Sequence, residues 1–360
     1  MPSALIFLFV LSVLVVVHEF GHFLVARWVG IRVEKFSIGF GPVIFGRRFG
    51  QTEFVFSLLP LGGFVKMAGE SPEEATGKTD EFSSKPLLQK FAVVFAGPLM
   101  NAFLAFVLFT AVFLVGQPMF ASRVGRVLDG APAQSAGILA GDRITAVDGR
   151  PVTYWEDLLR EVHRGSAATI RFSVEREGRS LDVTVEPQVR QMKGLFGKHS
   201  ALRFVGVAPS SEVTLVKSGP LEAVRLGAKR VWDITGMILY SLVLMITGAM
   251  PFKESITGPI GIFFMTQEAA RLGVVYLFLF MGSLSVSLFV LNLLPVPVLD
   301  GGHVLFILIE KLKGSPLKDS VKDRMTQGGL IVLLGLMAFV IFQDLHRFSI
   351  FENVKNFFVR

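Results

Sequence analysis

Three apolar runs, residues 4–26, 91–115 and 274–294, each supply enough consecutive apolar side chains to cross a hydrocarbon core of about 30 Å. A fourth, 328–342, is shorter but as apolar. Backbone polar groups in lipid must pair within their own segment, so runs of this kind are helices. The rest of the composition agrees, with 51% hydrophobic and only 18% charged residues. The first run lacks a basic leader and an A-x-A-like exit, and it outlasts a usual signal-peptide core, so it reads as a retained span. The chain has no Cys. Any metal ligand must then be His, Asp or Glu. A net charge of +7 is better explained by loop charges that set topology than by nucleic acid.

These runs divide the chain. Residues 1–28 form the first span, and 29–90 a β-rich, membrane-associated loop holding FSIGFGP and TEFVFSLLPLGGFVKMAGE. Residues 91–117 form the second span. Residues 118–190 carry charged residues alternating with Val and Ile, the mark of a water-exposed α/β domain, with turns expected at Asp148-Gly149 and Glu177-Gly178. Residues 191–273 are a linker with an amphipathic interfacial helix over 225–250, and 274–302 the third span. A loop (303–327), a fourth span (328–346) and a tail (347–360) complete the chain. Lys and Arg cluster after spans one and three, at Arg27, Arg32, Lys35, Arg47, Arg48, Lys311, Lys313, Lys318 and Lys322, which puts those loops in the cytoplasm and the α/β domain outside it.

Within span one lies HEFGH. On a helix His18 and His22 share a face one turn apart, so both imidazoles can reach one Zn2+, with Glu19 beside them as a general base. Two His and a Glu in an apolar span are costly unless paired or metal-bound. Catalytic zinc usually takes three protein ligands and leaves a position open. Glu34 and Glu53 are nearby candidates for the third, but their Gly-rich, strand-like surroundings offer no second helix. The better candidate is Asp300, in NLLPVPVLDGGH, where Pro295 and Pro297 break the third span. If Asp300 shares a metal with His18, spans one and three run the same way, and no single extra crossing fits between spans two and three. Asn292 is polar amid aliphatic residues, which suits either a substrate backbone or a helix-to-helix hydrogen bond. Asn101 faces the same choice, and the structural role is the expected one. Phe54, Val55 and Phe56, with the turn at Gly62 and Gly63, can offer a strand edge to an unwound substrate; the alternative is an ordinary hairpin. His303 is expected to be a partner of the ligands or structural, and His163, His199 and His346 show no ligand pairing.

Two resemblances follow. VLDGAPAQSAGILAGDRITAVDGRPV resembles a bacterial PDZ domain, a module that binds extended peptides. HEFGH, FSIGFGP, LPLGGFVKM, FAGPLMN, TGPIGI and LLPVPVLDGGH together resemble the site-2 protease family of intramembrane zinc metalloproteases, in its regulator of sigma-E protease branch, over nearly the whole chain. One departure is that some members carry two tandem PDZ domains and this chain has room for one. The resemblance implies a polytopic α-helical protein of the bacterial inner membrane with an inserted PDZ-like domain and an active site near the cytoplasmic side. It implies zinc on His18, His22 and Asp300, Glu19 as base, and Asn292 holding substrate. Expected partners are single-pass membrane proteins such as anti-sigma factors and remnant signal peptides, a peptide or C-terminus at the PDZ-like domain, and the lipid bilayer. A non-catalytic, zinc-stabilised PDZ scaffold is the competing reading; a base beside the ligands argues against it.

Overall fold

The computed structural model describes residues 3–164, 167–193, 199–251 and 256–348. In chain order its helices are α1 (Ser3–Trp28), α2 (Leu87–Val115), α3 (Pro132–Ser135), α4 (Trp155–Arg164), α5 (Pro220–Ile246), α6 (Pro259–Leu272), α7 (Val274–Asn292), α8 (Asp300–Lys313) and α9 (Asp319–Arg347). The chain forms two compact units, Met1–Ala111 with Ala223–Leu242 and Pro251–Arg360, and Val112–Glu222 with Val243–Met250.

Among the described residues four helices are long and apolar enough to cross a membrane, α1, α2, α7 and α9. Their outward side chains, such as Phe9, Leu24, Phe103, Ile331 and Phe342, are exposed, as lipid-facing residues must be. Val10, Leu14, Leu108 and Met281 close a buried seam between α1, α2 and α7. The third apolar run is not one helix. It stops at Asn292, passes through Pro295 and Pro297, and restarts as α8 at Asp300. Proline lacks the N–H that a continuing helix needs and disfavours helical geometry in the residue before it. α9 begins at Asp319, well before the apolar run at 328, because a polar stretch extends the helix out of the span. α5 has 27 residues, yet the charges of Arg225, Lys229, Arg230 and Asp233 keep it out of the spanning set. α6, at 14 residues, rises only about 21 Å, too short to cross. Its N-terminus has no cap of its own; the Asp344 carboxylate of α9 accepts the N–H groups of Gly258 (3.2 Å) and Gly261 (2.9 Å) instead.

Between α1 and α2 lie β1 (Val33–Phe49) and β2 (Thr52–Met67), which do more than form a hairpin. The first part of β1 pairs on one side with the end of β2 (Phe36 with Val65, Ile38 with Gly63) and on the other with its start (Phe36 with Phe54, Ile38 with Phe56). The start of β2 also pairs with the end of β1 (Arg47 with Phe54, Phe45 with Phe56). Four short segments thus lie in the order 43–49, 52–57, 33–38, 63–67. Phe23 of α1 packs edge-on against Phe36 and Phe54, which fixes this sheet to the helix.

The second unit is an α/β domain. β5 (Arg143–Val147) lies between β6 (Arg150–Pro151) and β7 (Ile170–Arg176), and β8 (Arg179–Val185) pairs with β7. Both tight turns fall where expected, with positive φ at Asp148 (48°) and Gly149 (77°), and at Glu177 (49°) and Gly178 (77°). Two successive left-handed residues are what a two-residue hairpin of matching twist requires. α4 buries Trp155, Leu158 and Val162, spaced for one helix face, in a core with Ile144, Phe172 and Val174. β3 (Gln117–Phe120) pairs with β12 (Val213–Val216), β4 (Val124–Val127) with β11 (Val207–Pro209), and β9 (Gln188–Lys193) with β10 (His199–Phe204). A cavity of about 270 Å3 runs beside β11, lined by Leu158, Leu159, Val162 and His163 of α4 and by Val205 and Val207.

One buried ion pair holds this domain. The Asp142 carboxylate, 1% exposed, accepts two bonds from Arg176 (Nε at 2.7 Å, Nη2 at 2.8 Å) and one from the Leu139 N–H. Burial pushes its pKa up, but the Arg176 and Leu139 bonds outweigh that and hold it below the usual aspartate range. The stability it contributes is then fully present above about pH 4 and lost as pH falls through its lowered folded value. Arg176→Ala, which leaves the buried carboxylate without its cation, should destabilise this domain at neutral pH. Amide hydrogen exchange of β5 and β7 in the full chain should show the loss at neutral pH and a smaller difference from wild type in strong acid.

Candidate metal centre

α1 supplies His18 and His22 from one face, both buried. α8 supplies Asp300 at its first position, just past the double-proline break. The fit of that break is close: a Cβ on Gly301 would lie 2.2 Å from the Leu294 carbonyl oxygen, and one on Gly302 2.3 Å from that of Val296. Two glycines are thus needed for α8 to fold back onto the loop and aim Asp300 at α1.

The three side chains converge. His18 Nε2 lies 3.1 Å from Asp300 Oδ2, His22 Nε2 3.6 Å from Asp300 Oδ1, and the two Nε2 atoms are 3.1 Å apart. Donors at about 2.0–2.1 Å around a tetrahedral zinc stand about 3.3 Å apart, so these three atoms have the spacing of one face of such a shell. The outer nitrogen of His22 decides its tautomer. Nδ1 is 2.8 Å from the Val93 carbonyl oxygen, which can only accept, so Nδ1 carries the proton and Nε2 presents a bare lone pair. Two imidazoles and a carboxylate fit a borderline-soft divalent ion, and no other cluster of metal-ligating side chains occurs among the described residues.

α2 closes the far side. Val93, Gly97 and Asn101 lie four residues apart on one helix face. Val93 meets His22, Asn101 Nδ2 lies 3.2 Å from His18 Nδ1, and Gly97 stands between them, where a Cβ would fall 2.2 Å from His22 Nε2. Asn292, at the end of α7, brings its Nδ2 within 3.5 Å of the same His18 nitrogen.

On the other flank Glu19 lies beside the Val65 backbone N–H. A Cβ on Gly63 would be 3.7 Å from Glu19 Cγ. Ser12 of α1 donates to the Pro60 carbonyl, so the segment from Pro60 to Val65 runs along α1. This is the outer edge of the four-segment sheet.

The expected site residues separate accordingly. His18, Glu19, His22, Asp300, Asn292 and Gly63 come together, with Gly62 next along the edge. Phe54, Val55 and Phe56 do not form an edge: their segment pairs on both sides, with 33–38 and 43–49, so it has no free backbone to offer a substrate strand. Glu34 and Glu53 face other partners, Glu34 the side chains of Arg32 and Lys66 and Glu53 that of Lys35. His303, one turn beyond Asp300, lines a cavity of about 720 Å3 with Lys90, Phe306 and Glu310. His163 and His346 join no such cluster, and the side chain of His199 lies outside the described residues. Asn101 was expected to be structural; its alignment with Val93 and Gly97 at four-residue spacing was visible in the sequence, but its target was not.

Gly97→Ala places a methyl group where the imidazoles stand, while alanine favours the helix. Purified in detergent, that variant should keep its helical circular dichroism and lose bound metal, as Asp300→Ala should. Glu34→Ala should retain it.

Residues 6–336 match the model of peptidase family M50. A relative from Rhizobium meliloti that carries a zinc-metalloprotease name is 36% identical over 94% of this chain and 95% of its own. The regulator of sigma-E protease RseP of Salmonella typhimurium is 30% identical over 95% of this chain and 98% of its own; that alignment runs over 446 positions, so the relative carries inserted sequence absent from these 360 residues. Among solved structures, the PDZ domain of an SdrC-like protein from Listeria innocua is similar over 26% of this chain and 96% of its own, at 16% identity and a TM-score of 0.21. The chain belongs to peptidase family M50, the site-2 metalloproteases.

Proposed function

We propose that this metalloprotease hydrolyses a peptide bond within or at the edge of the transmembrane segment of single-pass membrane proteins, with Zn2+ held by His18, His22 and Asp300 and with Glu19 as general base. The observation that carries this reading is the meeting of a three-donor cluster, a carboxylate and a strand edge in one place inside an apolar helix bundle. When bound, zinc would lower the pKa of a water molecule to near neutrality and polarise the scissile carbonyl. Glu19, beside the Val65 backbone N–H, takes one proton from the attacking water on its carboxylate and returns it to the leaving amide nitrogen. The water oxygen ends on the new carboxylate, and the new amine keeps the proton.

A helical substrate shields its amides with its own hydrogen bonds, so a short stretch must unwind first. The edge at Gly62 and Gly63 would offer backbone groups to that stretch; the glycines let this edge pack closely on its own sheet, since a Cβ would fall 2.7 Å from the Phe40 ring at Gly62 and 2.5 Å from the Ser37 carbonyl oxygen at Gly63. Asn292 faces the cluster from the third span and can hold a substrate backbone group through its amide.

The Lys and Arg residues after α1 and α8 favour a cytoplasmic placement of this end of the bundle and an extracytoplasmic inserted domain, in a bacterial inner membrane. The cavity between α4 and β11 suits an extended peptide or a newly made C-terminus added beside β11. The naming of the Salmonella relative as a regulator of sigma-E supports anti-sigma factors as substrates, with remnant signal peptides a second class of the same geometry.

Glu19→Gln keeps the three donors and removes the base. In the full-length protein it should retain zinc and cleave a transmembrane reporter at least about 100-fold more slowly. Cleavage at the wild-type rate by a zinc-loaded Glu19→Gln protein would overturn the assignment; an inactive wild type that holds zinc would favour the scaffold reading.

A further inference from the structure

Each imidazole of the cluster presents its outer nitrogen to α2, but the two anchors differ. His22 meets a backbone carbonyl, which fixes its tautomer outright. His18 meets two side-chain amides, Asn101 at 3.2 Å and Asn292 at 3.5 Å, and both point their Nδ2 at it. That arrangement suits a His18 whose Nδ1 is bare and whose Nε2 carries the proton. A metal ligand needs the reverse, a bare Nε2 and therefore a proton on Nδ1, which two NH2 groups cannot accept. Asn101 is fully buried, and its Oδ1 has no hydrogen-bond partner among the described residues. An amide is nearly symmetric in shape, so half a turn about its last bond exchanges Oδ1 for Nδ2 without moving the backbone. That backbone is itself held, since Ser285 of α7 donates to the Asn101 carbonyl at 2.7 Å.

We propose that Asn101 is a positioning residue for the metal centre: turned over, its Oδ1 accepts the His18 Nδ1 proton and locks that imidazole with Nε2 free to bind the ion. Asn292 stands farther off, at a helix end and only half-buried, which leaves it for substrate. Val93, Gly97 and Asn101 then act as one device, in which a carbonyl holds one ring, a missing side chain makes room for both, and an amide holds the other. This inference rests on the reading that His18, His22 and Asp300 bind zinc.

The test is zinc retention by the full-length protein in detergent, titrated against a chelator and read independently of cleavage, with the visible spectrum of the cobalt-substituted form as a second signature. Asn101→Leu, similar in shape but without an acceptor, should hold zinc about 10–100-fold more weakly. Asn101→Asp restores the acceptor and should stay within about threefold of wild type. A folded Asn101→Leu protein with wild-type zinc affinity, or an Asn101→Asp protein weakened tenfold or more, overturns the proposal. If Asn101→Leu fails to fold, Asn101→Ala, which also lacks an acceptor, takes its place with the same expected loss and the same overturning result. A wild-type chain that binds no zinc would instead sink the reading beneath it.

Discussion

Two imidazoles and a carboxylate have been brought within 3.1–3.6 Å of one another inside a bundle of apolar helices. Polar groups at that depth are costly unless each finds a partner, and a cation shared by the three is the partner proposed for them. Much of the first unit can be understood as the means of holding that arrangement. The sheet between α1 and α2 is fastened to α1 through Phe23 and Ser12. α2 must approach α1 closely enough for a helix carbonyl to touch a histidine ring, and Gly97 permits it. The double-proline break exists because a continuous third helix would carry residue 300 away from α1 instead of turning it back.

The same constraint explains why the parity of crossings matters. On the proposed reading α1 and α7 run in the same direction through the bilayer, with α2 returning between them, and α5 and α6 make no net crossing. Their sequences suit that arrangement: one is charged over its first half, the other too short.

Much of this was legible in the residues. HEFGH marks itself by placing chargeable groups in an apolar run, and LDGG does so by following a break that no spanning helix tolerates. The turns at Asp148-Gly149 and Glu177-Gly178 were legible because left-handed backbone has few admissible residues. What could not be read was pairing. β-propensity marked Phe54 to Phe56 as strand, and rightly, but propensity is silent on which edge of a strand stays open. Their segment lies in the middle of its sheet, and the less strand-like Gly62–Gly63 stretch lies on the rim. Asn101 escaped for a related reason: a polar residue in a span shows that a partner exists, and only the packing of α1 on α2 shows which.

The centre is assembled from residues 18 and 300, at opposite ends of the chain. A polypeptide emerging from the ribosome places its first span in the membrane long before the third is made. Until then the two histidines stand in lipid with neither carboxylate nor loop to complete them. A protease able to cut transmembrane helices is a hazard to the insertion machinery and to every nascent protein beside it. Splitting the proposed centre across the chain keeps the enzyme inert until its third span and the turn that carries Asp300 have been made.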